Sequence, residues 1–146
     1  MDKNKIKWKL TGQAIKEEEI TGFFGFVYQI TDKSTGNYYI GSKSFFSKTN
    51  PKISKKRANQ LYSGKGRKKV REIKVKESNW REYNSSSKKV QQLIEEKGEQ
   101  AFDFIILSLC QEKKYMLLLE AHFIITAFLN EDKKILNDWV NIKTWK

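Results

Sequence analysis

The sequence predicts an α/β protein of the α+β kind: a small three-stranded antiparallel sheet flanked by helices. Two aromatic, β-branched runs between Phe23 and Lys43 flank the turn-forming cluster Asp32-Lys33-Ser34-Thr35-Gly36-Asn37, and the pair reads as a β-hairpin. Residues 101–110, AFDFIILSLC, are apolar on both faces, as a central strand is. A helix is the alternative there, but Gly98 just upstream and the Phe/Ile content favour strand. Residues 113–129, KKYMLLLEAHFIITAFL, have helical length and are apolar nearly all round, which calls for burial or a partner.

Within the hairpin, alternation places Phe24, Phe26, Tyr28 and Ile30 on one face of the first strand. On the second strand Tyr39 and Lys43 share a face with Gly41 between them. Gly41 leaves bare backbone there, a mark of close approach by another backbone or a ligand.

At 146 residues the chain is long enough for a single domain, 1–146, with a real core and a basic insertion at about 44–78. Hydrophobic residues make up 38% and charged residues 32%, which excludes a disordered chain. No uncharged apolar run approaches about 18 residues, so no membrane span is expected. The start, Met1-Asp2-Lys3-Asn4-Lys5, lacks the apolar core of a secretory signal. Cys110 is the single cysteine, so neither an internal disulfide nor a cysteine-based zinc site is available. A cytoplasmic, reducing compartment is the simplest reading.

The formal net charge is +12, and its distribution is uneven. Between Lys43 and Lys76 basic residues recur and the only acid is Glu72, whereas acids and bases nearly balance from Glu77 onward. A block of this kind fits a polyanion, with nucleic acid the natural choice; a solvated Lys-rich loop is the other reading. Lys65-Gly66-Arg67-Lys68-Lys69 lets backbone amides and cations approach phosphates together, but lacks the strand–loop–helix context of a P-loop.

Upstream of the hairpin, Ile6, Trp8, Leu10 and Ile15 suggest a short helix or an extended arm, with Trp8 packed on the domain or stacked on a base. Downstream, Trp80 and Tyr83 sit three apart and can pack as a pair. Ser85-Ser86-Ser87 can cap a helix whose apolar face is Val90, Leu93 and Ile94, and which Gly98 stops. Cys110 reads as a small buried hydrophobe. Glu120 lies inside an apolar helix, where a carboxylate must be paired, protonated or bound to metal. His122, two residues on, points to another side and reads as a core or interface histidine. The apolar tail residues Ile135, Leu136, Trp139, Val140, Ile142 and Trp145 should fold back on the domain.

Phe26-Val27-Tyr28, followed on the next strand by Tyr39-Ile40-Gly41 and then Ser42-Lys43, resembles the paired signature of the GIY-YIG nuclease superfamily. Phe26 stands where the family name has Gly, and Val27 where it has Ile. The resemblance runs from about Gly22 to Asn141: Trp80-x-x-Tyr83, the serines and their helix, the strand, and Glu120 on the helix after it come in the family's order. Free-standing phage nucleases of homing type look most similar.

The resemblance implies a metal-dependent endonuclease that hydrolyses DNA phosphodiester bonds, most naturally in double-stranded DNA. Glu120 would be the metal ligand, and a single-carboxylate, oxygen-rich site suits Mg²⁺ or Mn²⁺. Tyr28 would orient or deprotonate the attacking water, with Tyr39 and Lys43 assisting. A free phenol has a pKa near 10, so as a base Tyr28 needs a neighbouring Lys or metal to lower it. The family's arginine follows the second strand, but no Arg lies between Gly41 and Arg57. The candidates are Arg57, Arg67, Arg71 and Arg81, with Arg71 preferred because Lys68 to Val75 could form a helix presenting it. Gly41, Lys65, Arg67, Lys68, Lys69 and Asn141, the last ahead of Asn137, are the expected nucleic-acid contacts. The chain has no room for a separate DNA-binding domain, so the basic insertion and N-terminal arm are expected to supply contacts. The apolar 113–129 helix offers a face for a dimer. The alternative is a non-catalytic nucleic-acid-binding module on a decayed nuclease fold.

Overall fold

A computed structural model describes residues 6–49, 54–56 and 74–141. The chain divides into two compact units, Met1–Phe45 with Asn79–Lys146, and Phe46–Ser78.

The sheet of the larger unit has five strands, not three. β1 (Lys9–Leu10), β2 (Gln13–Ala14), β3 (Gly25–Asp32), β4 (Tyr38–Ser44) and β7 (Phe102–Cys110) lie in the order β2-β1-β7-β3-β4. The expected trio is its centre and one edge: β3 pairs antiparallel with both β4 and β7. The two extra strands come from the segment read as a helix or an arm. Thr11 and Gly12 both have positive φ, 52° and 84°, so they turn β1 tightly into β2 as a two-residue hairpin loop does. β1 then lies parallel to β7, Lys9 opposite Ile105, and the sheet is mixed.

Trp8 holds that addition in place. It is fully buried, edge-on to Phe26 at 5.0 Å and to Phe104 at 5.3 Å, and its indole N–H donates to the Trp80 carbonyl at 2.7 Å. A buried indole needs such an acceptor. The core on this face also takes Tyr28, Ile30 and Phe45, with Val90 and Ile94 of helix α1 (Lys88–Lys97). As expected from sequence, the Ser87 hydroxyl accepts the Val90 N–H and the helix ends at Gly98, φ 86°.

The other face buries Val27, Ile40 and Cys110 against Met116 and Ile124 of helix α2 (Lys113–Leu129). α2 approaches so closely that a Cβ on Gly25 would lie 2.7 Å from the Met116 sulfur. Alternation breaks at Gly25, and Phe24 packs on this second core instead of sharing a face with Phe26. α2 is not buried all round: Tyr115, Leu118 and Leu129 stay exposed. A register shift in the β3–β7 pairing, between Val27 and Tyr28, turns β7 over. Phe102, Phe104 and Ile106 face the first core, whereas Cys110 ends in the second, a buried thiol pushed up in pKa by that burial.

The smaller unit contains a two-stranded antiparallel ladder, β5 (Phe46–Thr49) with β6 (Lys74–Glu77), in which Lys48 faces Val75. Lys74 and Val75 are therefore strand, not the end of an arginine-presenting helix. Arg57, Lys65, Arg67, Lys68, Lys69 and Arg71 lie outside the described residues. Among the described residues no helix is long and apolar enough to cross a membrane.

The β3–β4 turn is locked to α1 by Asp32. Its buried carboxylate accepts from Lys97 at the end of that helix, and from the Ser34 amide at 3.0 Å and hydroxyl at 2.7 Å. Those bonds, Lys97 first, lower its pKa from 3.8 to about 2. Because the folded value lies below the unfolded one, the stabilisation is full above about pH 4 and is lost as pH falls toward 2. Lys97 is partly exposed, so solvent screening keeps the contribution to about 1–2 kcal/mol. Asp32→Asn should lower the melting temperature at pH 7 by a few degrees and flatten the acid limb of the stability curve. An unchanged acid limb in thermal melts would remove this pair from the account.

Candidate active site

β4 is an edge strand, and the tail closes part of its outer side. Tyr38 donates its amide to the Lys134 carbonyl at 2.9 Å, and Leu136 donates back to Tyr38 at 2.7 Å. Asn137 then grips Ile40 with both ends of its amide: Oδ1 accepts the Ile40 N–H at 2.9 Å, and Nδ2 donates to the Ile40 carbonyl at 2.8 Å. This chemistry makes Asn137 a backbone mimic that pins tail to sheet.

A cleft of about 430 Å³ opens along this edge. It is lined by Tyr39 of β4, Ser86 and Lys89 around the start of α1, Glu120 of α2, and the tail residues Asp138, Trp139 and Asn141. Alternation explains the geometry. Tyr39, Gly41 and Lys43 face the α1 side of β4, while Ile40 and Ser42 face α2; at a sheet edge both sides open into one space. The Ser42 hydroxyl donates to Glu120 Oε2 at 2.5 Å.

Glu120 is half-buried, and among the described residues no ion pair reaches it. Burial pushes its carboxyl pKa up, against a smaller lowering by the Ser42 hydrogen bond. A desolvated carboxylate without a cation is a place where a divalent ion would relieve the electrostatic cost. No group of three or more metal-ligating side chains occurs among the described residues. A hard ion that takes one protein carboxylate, waters and substrate oxygens fits this donor set; an all-protein cage does not.

Tyr28 lies beneath the cleft. It is 1% exposed, its hydroxyl donates to Ser85 Oγ at 3.1 Å, and its ring meets Tyr83 edge-on at 6.0 Å. The phenol crosses directly over Gly41: a Cβ there would fall 2.3 Å from the hydroxyl and 2.5 Å from Cζ. The bare backbone at Gly41 is thus filled by Tyr28 itself. Burial, then the neighbouring Tyr83, hold the Tyr28 pKa well above 10, so the hydroxyl is protonated and donates. Tyr39, at the cleft, is also raised, by burial and by the Glu120 charge. Lys43 is not among the groups that shift the Tyr28 hydroxyl. Its Nζ sits 4.2 Å over the Tyr83 ring, and burial lowers its own pKa.

Ser85 links these layers. It is buried with φ 81°, a strained value for a residue with a Cβ, and its Oγ also accepts the Ser87 N–H at 3.1 Å. The loop that strain shapes delivers Ser86 to the cleft and Ser87 to the α1 cap. Arg81, the one candidate arginine among the described residues, instead pairs with Glu17 at 2.6 Å and stacks on Trp80. Ser42, Ser85, Lys89 and Trp139 were not singled out for the site by sequence. The tandem serines gave a helix-cap signal only, Ser42 entered only as part of the Gly41-Ser42-Lys43 resemblance, and no local pattern marked Lys89 or Trp139.

The fold and cleft define an α+β domain with a polar edge site holding one half-buried carboxylate and flanked by tyrosines. A family model described as "Putative endonuclease segE, GIY-YIG domain" matches residues 8–142, and the chain belongs to the GIY-YIG nuclease family. Neither a comparison with curated proteins nor one with solved structures found a match.

Proposed function

We propose that this protein is a divalent-metal-dependent endonuclease that hydrolyses DNA phosphodiester bonds in the β4-edge cleft. The observation that carries the reading is Glu120, a half-buried carboxylate lacking an ion pair among the described residues and opening beside Tyr39 into a space large enough for a substrate. The net charge of +12 supports a polyanionic substrate, and the Lys43–Lys76 block supports binding to the duplex backbone.

Glu120 would hold the Mg²⁺ or Mn²⁺, which when bound supplies Lewis-acid stabilisation of charge on the phosphate. Ser42 keeps the Glu120 carboxylate oriented by donating to one of its oxygens. Tyr39, protonated at neutral pH, donates toward a phosphate oxygen or the attacking water. Tyr28 acts through Ser85: its hydroxyl fixes the serine loop, and its ring fixes the backbone of β4 at Gly41. An arginine of the basic block, Arg71 or Arg67, would contact the scissile phosphate.

Plasmid DNA incubated with purified protein should be nicked or linearised with Mg²⁺ or Mn²⁺ and left intact with EDTA. Tight, salt-sensitive binding with no cleavage under any metal would instead identify a nucleic-acid-binding module on this fold.

A further inference from the structure

Trp139 and Lys89 are among the cleft residues that have no part in holding the fold or in the chemistry above. Trp139 is 68% exposed at the cleft, whereas Trp8 and Trp80 are fully buried. A tryptophan left outside carries a large apolar face at the mouth of a polar site. Lys89, in the first turn of α1, is the sole cation among the residues lining the cleft. The space itself, about 430 Å³, matches a small-molecule pocket rather than a groove for a double helix.

We infer that the cleft receives a single unstacked nucleotide of the bound strand, its base laid against Trp139 and its phosphate beside Lys89. The inference rests on the nuclease reading and adds to it the structural class of the preferred substrate. Aromatic faces stack any base, so the contact selects for an available base and not for a sequence. Drawing a base out of a paired helix costs stacking and pairing, and that cost is least where the base is already unpaired. The protein should therefore favour DNA with a bulged or mismatched nucleotide at the engaged position over the same duplex fully matched. Lys89 and Glu120 line the same cleft, so the cation proposed for the extruded nucleotide's phosphate and the proposed metal ligand share one space.

The test is an affinity titration in EDTA, so that cleavage does not intrude, using two duplexes that differ only in one unpaired nucleotide. Wild-type protein should bind the bulged duplex at least about fivefold more tightly, the low end of what one base–aromatic stack supplies. Trp139→Ala should erase that preference and Trp139→Phe should keep part of it; both should fold, since the ring is mostly exposed. Lys89→Gln should weaken the bulged duplex more than the matched one and reduce the bulged duplex's slope of log affinity against log salt by about 0.9, one phosphate contact. Equal wild-type affinity for the two duplexes, or a Trp139→Ala variant that keeps the preference, overturns the inference. A Lys89→Gln variant with an unchanged salt slope overturns the phosphate assignment. Plasmid nicking separates the two levels. Metal-dependent nicking without a bulge preference leaves the nuclease and removes the nucleotide pocket. A Trp139-dependent preference without nicking does the reverse.

Discussion

Glu120→Gln is expected to abolish metal-dependent cleavage while leaving the protein at least as stable as wild type at neutral pH. The substitution keeps the side chain's shape, and a Gln oxygen still accepts the Ser42 hydroxyl that Glu120 accepts now. What it removes is the charge that holds a hard divalent cation. Losing preorganised charge stabilisation of this kind costs about 10²–10³-fold in turnover, and complete loss of the metal costs more. DNA affinity should hold or rise, because a negative charge no longer faces the phosphate.

Stability distinguishes this from a structural role. Were Glu120 paired with a buried cation, neutralising it would strand that cation at a cost of about 3–5 kcal/mol. Its polar partner is a serine, and burial raises its pKa. The folded protein therefore holds the Glu120 proton more tightly than the unfolded chain does. The stability that this contributes is full below the unfolded value and is lost as pH rises through the folded one. Asp32 runs the other way, contributing above about pH 4 and failing toward pH 2. Mg²⁺ or Mn²⁺ should raise the wild-type melting temperature at neutral pH, by mass action on the folded state, and leave Glu120→Gln unmoved. A large, metal-independent fall in melting temperature for the variant would sink the metal-ligand assignment.

The parts legible in sequence were those set by local chemistry. The Asp32–Asn37 turn, the aromatic runs of β3 and β4, the Ser87 cap and the Gly98 stop each depend on a few adjacent residues, and each lies where its chemistry put it. β1 and β2 were not legible, because two-residue strands are too short to show alternation; Thr11-Gly12 was the available sign. The face of Cys110 was hidden by the register shift opposite Val27 and Tyr28, which exchanges the faces for the rest of β7. The cleft was the least legible part. Tyr39, Lys89, Glu120 and Trp139 come from four separate segments and meet at a strand edge that the tail partly closes. Nothing in the spacing of any one segment reveals that edge. Family resemblance pointed to Tyr39 and Glu120 as candidates, and nothing in the sequence pointed to Lys89 or Trp139.

Tyr28→Phe should lower turnover by about 10²-fold, leave the fold intact, and leave the shape of the pH–rate profile unchanged. The ring is what the core uses: it covers Gly41, meets Tyr83 and lies 5.2 Å from Trp8, and phenylalanine preserves all three contacts. Only the hydroxyl is lost, and with it the donor to Ser85 Oγ. Ser85 keeps its bond from the Ser87 amide but holds φ 81° with one restraint fewer, so Ser86 is less firmly placed beside Tyr39 and Glu120. A small displacement of groups around a reacting centre is enough to cost two orders of magnitude. The flat profile follows from burial, which holds the Tyr28 pKa well above 10 and keeps the phenol protonated through the neutral range. A general base would leave a limb in the wild-type profile that vanishes in the variant. A loss of rate that is uniform from about pH 6 to 9 therefore marks a positioning hydroxyl, given the reference phenol value near 10. Loss of a pH-dependent limb would show that Tyr28 gives up its proton, which this burial opposes. Wild-type rates in Tyr28→Phe would reduce the residue to a core aromatic.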